Sequence, residues 1–177
     1  MSPRIKTRLP AAALCLLACC LADPITMAFA ADTSPTKPDD SRSLAGVETG
    51  KVAWDINMGD PKKLTLYLTV MDETYEDLKR QGVEPEMVFT FRGPSLPLIS
   101  TDVTDVPLDQ EQHYQAVAEL IKTLQAKPNV RMEACSVAAR LFEIDPGTLL
   151  PGIDFVGNTF VSQIGYQSKG YATIPIF

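Results

Sequence analysis

The chain is poor in the residues that build metal and acid-base centres. It holds one histidine, His113, and four cysteines, of which Cys15, Cys19 and Cys20 fall within the first twenty residues. If that segment is removed, a single thiol is left, Cys135. One histidine and one cysteine do not make a metal site. A Cys–His nucleophile pair would need His113, which falls on a predicted helix with nothing in the sequence to bring it beside Cys135. Asp102, Asp105 and Asp109 read as a solvated loop rather than a cation cage. There is no glycine-rich phosphate motif, and no motif calls for a metal or an organic cofactor. Lysines and arginines form no run, and aromatic residues make up only 7%, so no stacking platform beside a positive groove can be assembled. With a formal net charge of −6, the chain repels nucleic acid.

What the N-terminus does contain is a leader pattern. Arg4, Lys6 and Arg8 precede an apolar stretch from Leu9 to Ala22, and the small-residue site Ala28-Phe29-Ala30 follows. This reads as a secretion signal spanning residues 1–30, cleaved after Ala30, with export to the periplasm or the exterior. The apolar run is short for a bilayer span and is ended by Asp23 and Pro24, so no stable membrane insertion is expected after cleavage. A lipoprotein alternative would use Cys19 after Leu16-Leu17-Ala18, although the leucine directly before Ala18 suits that site poorly. Cleavage would remove three basic residues and one acidic, leaving 13 basic against 21 acidic and a net charge of −8. The remaining 147 residues suit one domain with a full core. Residues 31–49 are polar, contain proline and lack periodicity, and read as a flexible tether. The domain is expected over 50–177.

Lys51 to Ile56 is a short apolar run suited to a first strand. Asp60-Pro61 has the form of a helix start, with a carboxylate cap and proline in the first turn. Leu64, Tyr67, Leu68, Met71, Tyr75 and Leu78 then recur at helical spacing, and Gly82 stands where a left-handed C-terminal residue is wanted. These features predict a helix over 61–81. Leu64 to Val70 also alternates like a strand, but the cap and the acidic continuation favour the helix. Leu66 and Val70 then lie off the core stripe, and a protomer interface would explain them. Glu86 to Phe91 reads as the second strand, and Arg92-Gly93-Pro94-Ser95-Leu96-Pro97 as a break. Asp109 and Gln112 suggest a capping box for a second helix, with Tyr114, Val117, Ala118, Ile121 and Leu124 as its stripe and Pro128 as its stop. Val130 to Ala134 reads as strand three, 136–143 as a short helix, and Ile153 to Val156 as strand four. Residues 158–168 read as a last helix and Tyr171 to Ile174 as strand five.

Alternating strands and helices predict an α/β fold, a three-layer α/β/α sandwich on a mainly parallel five-stranded sheet. Reactive groups in such sheets gather at the carboxyl ends of the strands. Arg92, Cys135 and Asn158 each follow a strand, so the topology allows them to share a rim. Cys135 precedes Ser136, read as the N-cap of the short helix, which would aim unpaired backbone donors and the positive helix end at the sulfur and favour thiolate. The competing reading is that Cys135 is a small apolar residue packed beneath a helix. Cys135 to Arg140 has the spacing of an anion-cradling rhodanese-like loop, but Ser-Val-Ala-Ala prefers helix and supplies no glycine. An unpaired thiol in an exported protein also invites oxidation, so its presence wants an explanation.

From about Lys51 to Phe177 the chain resembles the DsrE/DsrF-like sulfur-relay proteins, which include the TusD-type sulfur carriers. The resemblance rests on Ala134-Cys135-Ser136-Val137-Ala138-Ala139-Arg140, on Leu150 to Asn158 (LPGIDFVGN) and on the ending Gly170 to Phe177 (GYATIPIF). It implies that Cys135 accepts sulfur as a persulfide, and that the domain assembles into homo-oligomers, trimers or hexamers. A thiol-bearing or persulfide-bearing protein is the implied partner, and no nucleic acid. Arg92, Ser136 and Asn158 are the candidate substrate-binding residues around the candidate catalytic Cys135. A non-catalytic oligomeric module of the same fold, binding a small ligand or a protein with Cys135 buried, is the alternative.

Overall fold

The computed structural model describes residues 37–177, and the expected leader, with Cys15, Cys19 and Cys20, lies outside the described residues. Five strands, β1 (Thr49–Ile56), β2 (Glu84–Phe91), β3 (Val130–Cys135), β4 (Asp154–Val156) and β5 (Ala172–Ile176), form one sheet in the order β4-β3-β2-β1-β5. Every pairing is parallel. Helices α1 (Pro61–Arg80), α2 (Glu111–Gln125), α3 (Ser136–Leu141) and α4 (Thr159–Ser168) make the crossovers. The α/β architecture is the one the alternation predicts.

Local chemistry sets the helix ends. Asp60 caps α1, its Oδ1 accepting from the Lys63 amide at 3.1 Å, and Pro61 fills the first turn where its missing donor costs nothing. Gly82 follows the helix at φ +79°. The competing strand reading of 64–70 fails because Leu64, Leu68, Met71 and Tyr75 are buried on one helical stripe, while Leu66 is left 63% exposed. α2 departs from expectation at its start. Gln110 is its N-cap residue and makes no side-chain cap bond, so the Asp109/Gln112 capping box does not form. The segment after β2 contains two short 3-10 turns, at Gly93–Ser95 and Pro97–Ile99. Residues 38–48, expected within the tether, include hydrogen bonds to the end of α1, from Arg80 to the Pro38 carbonyl and between Asp40 and Gln81.

The two faces of the sheet differ sharply. On one, Val52, Trp54, Ile56, Met87, Phe89, Phe91 and Met132 meet the buried stripes of α1 and α2 in a continuous apolar core. The other is covered by α4, which is packed inside out. Its sheet-facing side is polar: Gln163 Nε2 donates to Thr90 Oγ1 at 2.7 Å, and its Oε1 accepts from Thr173 at 2.9 Å. Tyr166 donates to the Glu133 carboxylate at 2.6 Å, and burial followed by that hydrogen bond pushes its pKa up to about 12. Phe160, Val161 and Ile164 of the same helix point outward, 57%, 65% and 65% exposed. Among the described residues, no helix is long and apolar enough to cross a membrane.

Because the apolar face carries the core, Phe89→Ala, at a fully buried position, is expected to cost about 3–5 kcal/mol. Leu66→Ala should stay within about 0.5 kcal/mol. Urea unfolding of the two variants beside the parent measures both.

Candidate functional site

A parallel sheet brings all its strand ends to one rim, and the order β4-β3-β2 makes the three relevant strands neighbours. The residues leaving them, Arg92, Cys135 and Asn158, line one half-open pocket of about 200 Å³. Gly93, Thr159, Phe160 and part of α3 complete it. Gly93 is required there: its φ is +55°, and a Cβ would collide with the Asn57 side-chain oxygen.

Cys135 ends β3 in an extended conformation and is itself the N-cap residue of α3. It is 4% exposed and free of any disulfide. Burial works to raise its thiol pKa, but hydrogen bonding from the Thr159 and Ala138 amides, the Thr159 hydroxyl and the Val137 amide outweighs it, so the pKa lies below the ordinary thiol value. Two helix starts therefore converge on one sulfur, α3 from its own strand and α4 from the next.

Ser136, expected as the cap of α3, occupies the first helical position instead. Its hydroxyl donates to the Gly157 carbonyl at 2.6 Å, and it does not line the pocket. It pins the β3–α3 turn to the loop entering α4. Asn158 does line the pocket, but its Oδ1 accepts from the Phe160 amide at 2.9 Å as the cap of α4. Both residues shape the site through backbone rather than by touching sulfur.

Arg92 is held by Asp55 through a two-pronged pair, Nε to Oδ1 at 2.6 Å and Nη2 to Oδ2 at 2.8 Å. The Phe160 and Phe177 rings lie 5.0 and 6.0 Å from its guanidinium carbon. The Asp55 hydrogen bond raises its pKa against the opposing effect of burial, and the Cys135 charge adds a smaller push upward. Arg92 thus sends a cationic field to the sulfur, while the nearby amides and the Thr159 hydroxyl favour its charged form. Its first role is to neutralise a part-buried carboxylate.

Sequence reasoning missed Thr159 and Asp55. Thr159 is wholly buried, its hydroxyl has no hydrogen-bond partner, and it stands close enough to Cys135 to favour the charged thiol. Asp55 signalled itself as the lone acid in the apolar run Val52 to Ile56. His113 lies in a separate cleft with Asp60 and Asp109. A larger cleft of about 400 Å³ holds Asp102, Asp105, Glu143 and Asp145 but no cysteine or histidine. Among the described residues, no three His, Cys, Asp or Glu side chains cluster as a metal would need.

An all-parallel five-stranded α/β domain, with a capped thiol at its carboxyl rim, is the class that fold and site define. The comparisons add a more specific likeness. The structure of MTH1491, a protein of unknown function from Methanobacterium thermoautotrophicum, is similar with a TM-score of 0.57 and 19% identity, over 72% of this chain and 99% of that one. YchN from E. coli is similar with a TM-score of 0.51 and 12% identity, over 72% and 99%. The fold is therefore DsrE-like. A protein from Aquifex aeolicus (strain VF5), described as uncharacterized, is 25% identical over 125 residues, or 71% of this chain. The chain spans 55% of that relative's length. No family model matches.

The site's electrostatics predict that Cys135 is thiolate at a pH where an ordinary thiol is still protonated. The ultraviolet thiolate band, taken as the difference between the chain and its Cys135→Ser variant, should titrate below the ordinary thiol range. Thr159→Val removes a donor to the charged form and should move that midpoint upward. Because it also replaces an unpaired buried hydroxyl with a methyl of similar shape, it should not lower stability.

Proposed function

We propose that this chain is an exported sulfur-handling protein that carries sulfur as a persulfide on Cys135. The observation that supports this reading is a thiol whose charged form is favoured and which, though buried at the edge of the core, lines a half-open pocket. The thiolate attacks the outer sulfur of a donor persulfide or polysulfide. With a persulfide R–S–SH, the S–S bond of the donor breaks, a new one forms to give Cys135–S–SH, and R–S⁻ leaves with the electron pair. An acceptor thiolate then attacks the outer sulfur and releases the Cys135 thiolate, so no external oxidant or reductant is consumed. The amides of Val137, Ala138 and Thr159 stabilise the sulfur anion at each stage, with Arg92 supplying longer-range positive charge.

Self-association belongs to the same reading. α4 contains no charged residue, and its outward apolar face is continuous with Leu141, Phe142 and Phe177 around the pocket mouth. An uncharged patch is where two copies of an acidic chain can approach without repulsion. Gly165, mid-helix with open space around its Cα, has no packing reason within the protomer and would let a second backbone come close. Homo-oligomers, trimers or hexamers, are the proposed assembly. A periplasmic or secreted location follows from the leader pattern.

The competing reading, a binding module with an inert cysteine, draws on the 4% exposure of Cys135. Polysulfide treatment separates the two: the carrier gains one sulfur at Cys135 by peptide mass mapping under native conditions, and Cys135→Ser does not. A Cys135 that is modified only after denaturation establishes the binding module instead. Ile164→Asp is expected to reduce the assembly to monomers in sedimentation velocity.

A further inference from the structure

The carrier reading leaves its sulfur donor open, and the shape of the pocket restricts it. Resting on that reading, we infer that the donor Cys135 takes up is a small inorganic polysulfide anion, not a persulfide attached to a peptide or protein side chain.

Access comes first. Cys135 lies at the pocket floor and is 4% exposed, so whatever reacts with it must reach down through about 200 Å³ of space. A persulfide on a peptide would have to bring its Cβ, its Cα and the adjoining peptide units to the mouth while the outer sulfur touches the floor. A bare chain of sulfur atoms brings none of that bulk.

The walls give a second restriction. Val137, Ala138, Leu141, Phe142 and Phe160 supply an apolar and partly aromatic lining. Divalent sulfur is polarisable and packs well on such surfaces. The N–H and C=O groups of a peptide would find few partners there and would lose those of water.

Charge is the third. One cation, Arg92, lines the pocket, and Asp55 already engages its Nε and Nη2. Two N–H groups on Nη1 and one on Nη2 are left, which suits a small anion. At the floor the Thr159 hydroxyl, buried and otherwise unpartnered, offers one further donor. An anionic chain with an apolar middle meets both ends of this arrangement. With tetrasulfide the step is Cys135–S⁻ + S₄²⁻ → Cys135–S–S⁻ + S₃²⁻: one S–S bond breaks, one forms, and trisulfide leaves with the electron pair.

The test compares two donors on the full chain, potassium tetrasulfide and glutathione persulfide, with sulfur addition followed by quenching and assigned to Cys135 by peptide mass mapping. Tetrasulfide is expected to load Cys135 at least tenfold faster. Phe160→Ala, at an exposed wall position, should open the mouth and bring the two rates closer together. Equal rates in the parent, or faster loading from glutathione persulfide, overturn the donor assignment and leave the carrier reading standing. An unchanged ratio in Phe160→Ala overturns the argument from the wall. Loading from neither donor removes the carrier reading itself, and the donor assignment with it.

Discussion

Five strands that all run the same way must end on the same edge, and everything at the candidate site depends on that constraint. The last residue of β3 is Cys135, β2 leads directly into Arg92, and β4 leads through Gly157 into Asn158. Once β3 lies between β2 and β4, the backbone alone brings the three exits together. The helix starts at β3 and β4 then follow without further design, because those two crossovers leave the rim as helices whose first amides have no intrahelical partner. Two of those starts, α3 and α4, meet at one sulfur.

The same topology accounts for the unequal sheet faces. β1 to β4 are laid down in one direction across the sheet, with α1 and α2 over the apolar face, and the return from β4 to β5 carries α4 over the other. A ten-residue helix cannot cover a five-stranded sheet with hydrocarbon, and this one does not attempt it. Thr90, Glu133 and Thr173 present polar groups, and α4 answers with Gln163 and Tyr166. Such contacts specify one register and orientation more strongly than they stabilise. That suits an element whose first turn must hold Thr159 against Cys135. The apolar residues of α4 are thereby turned to solvent, around the mouth of the pocket.

The sequence was most legible where a local rule sufficed. Asp60-Pro61 and Gly82 bound α1 to within a residue of its observed ends, and Cys135 stands out as the one thiol after the first twenty residues. Legibility failed by small offsets at helix starts: Cys135, not Ser136, stands at the N-cap position of α3, and Gln110, not Asp109, precedes α2. One residue of shift moves a hydroxyl from capping its own helix to bridging toward Gly157. The meeting of Arg92 with Cys135 could not be read, because it depends on strand order, which is fixed by pairings tens of residues apart. Asp55 and Thr159 went unnoticed for related reasons. An acid inside an apolar strand is interpretable only when its partner is known, and Thr159 matters only because α4 arrives beside β3.

Arg92 is the clearest case of a side chain whose apparent task changes with its surroundings. From sequence it is a cation free to hold an anionic sulfur. In the fold, two of its five N–H groups answer Asp55, and two aromatic rings lie beside it. A part-buried carboxylate left without that partner would be strongly destabilising, so the pair is first a condition for closing the rim. What remains for the pocket is a fixed positive field, held in place because Nε and Nη2 are engaged by Asp55. A tethered guanidinium of this kind cannot follow a ligand into different poses.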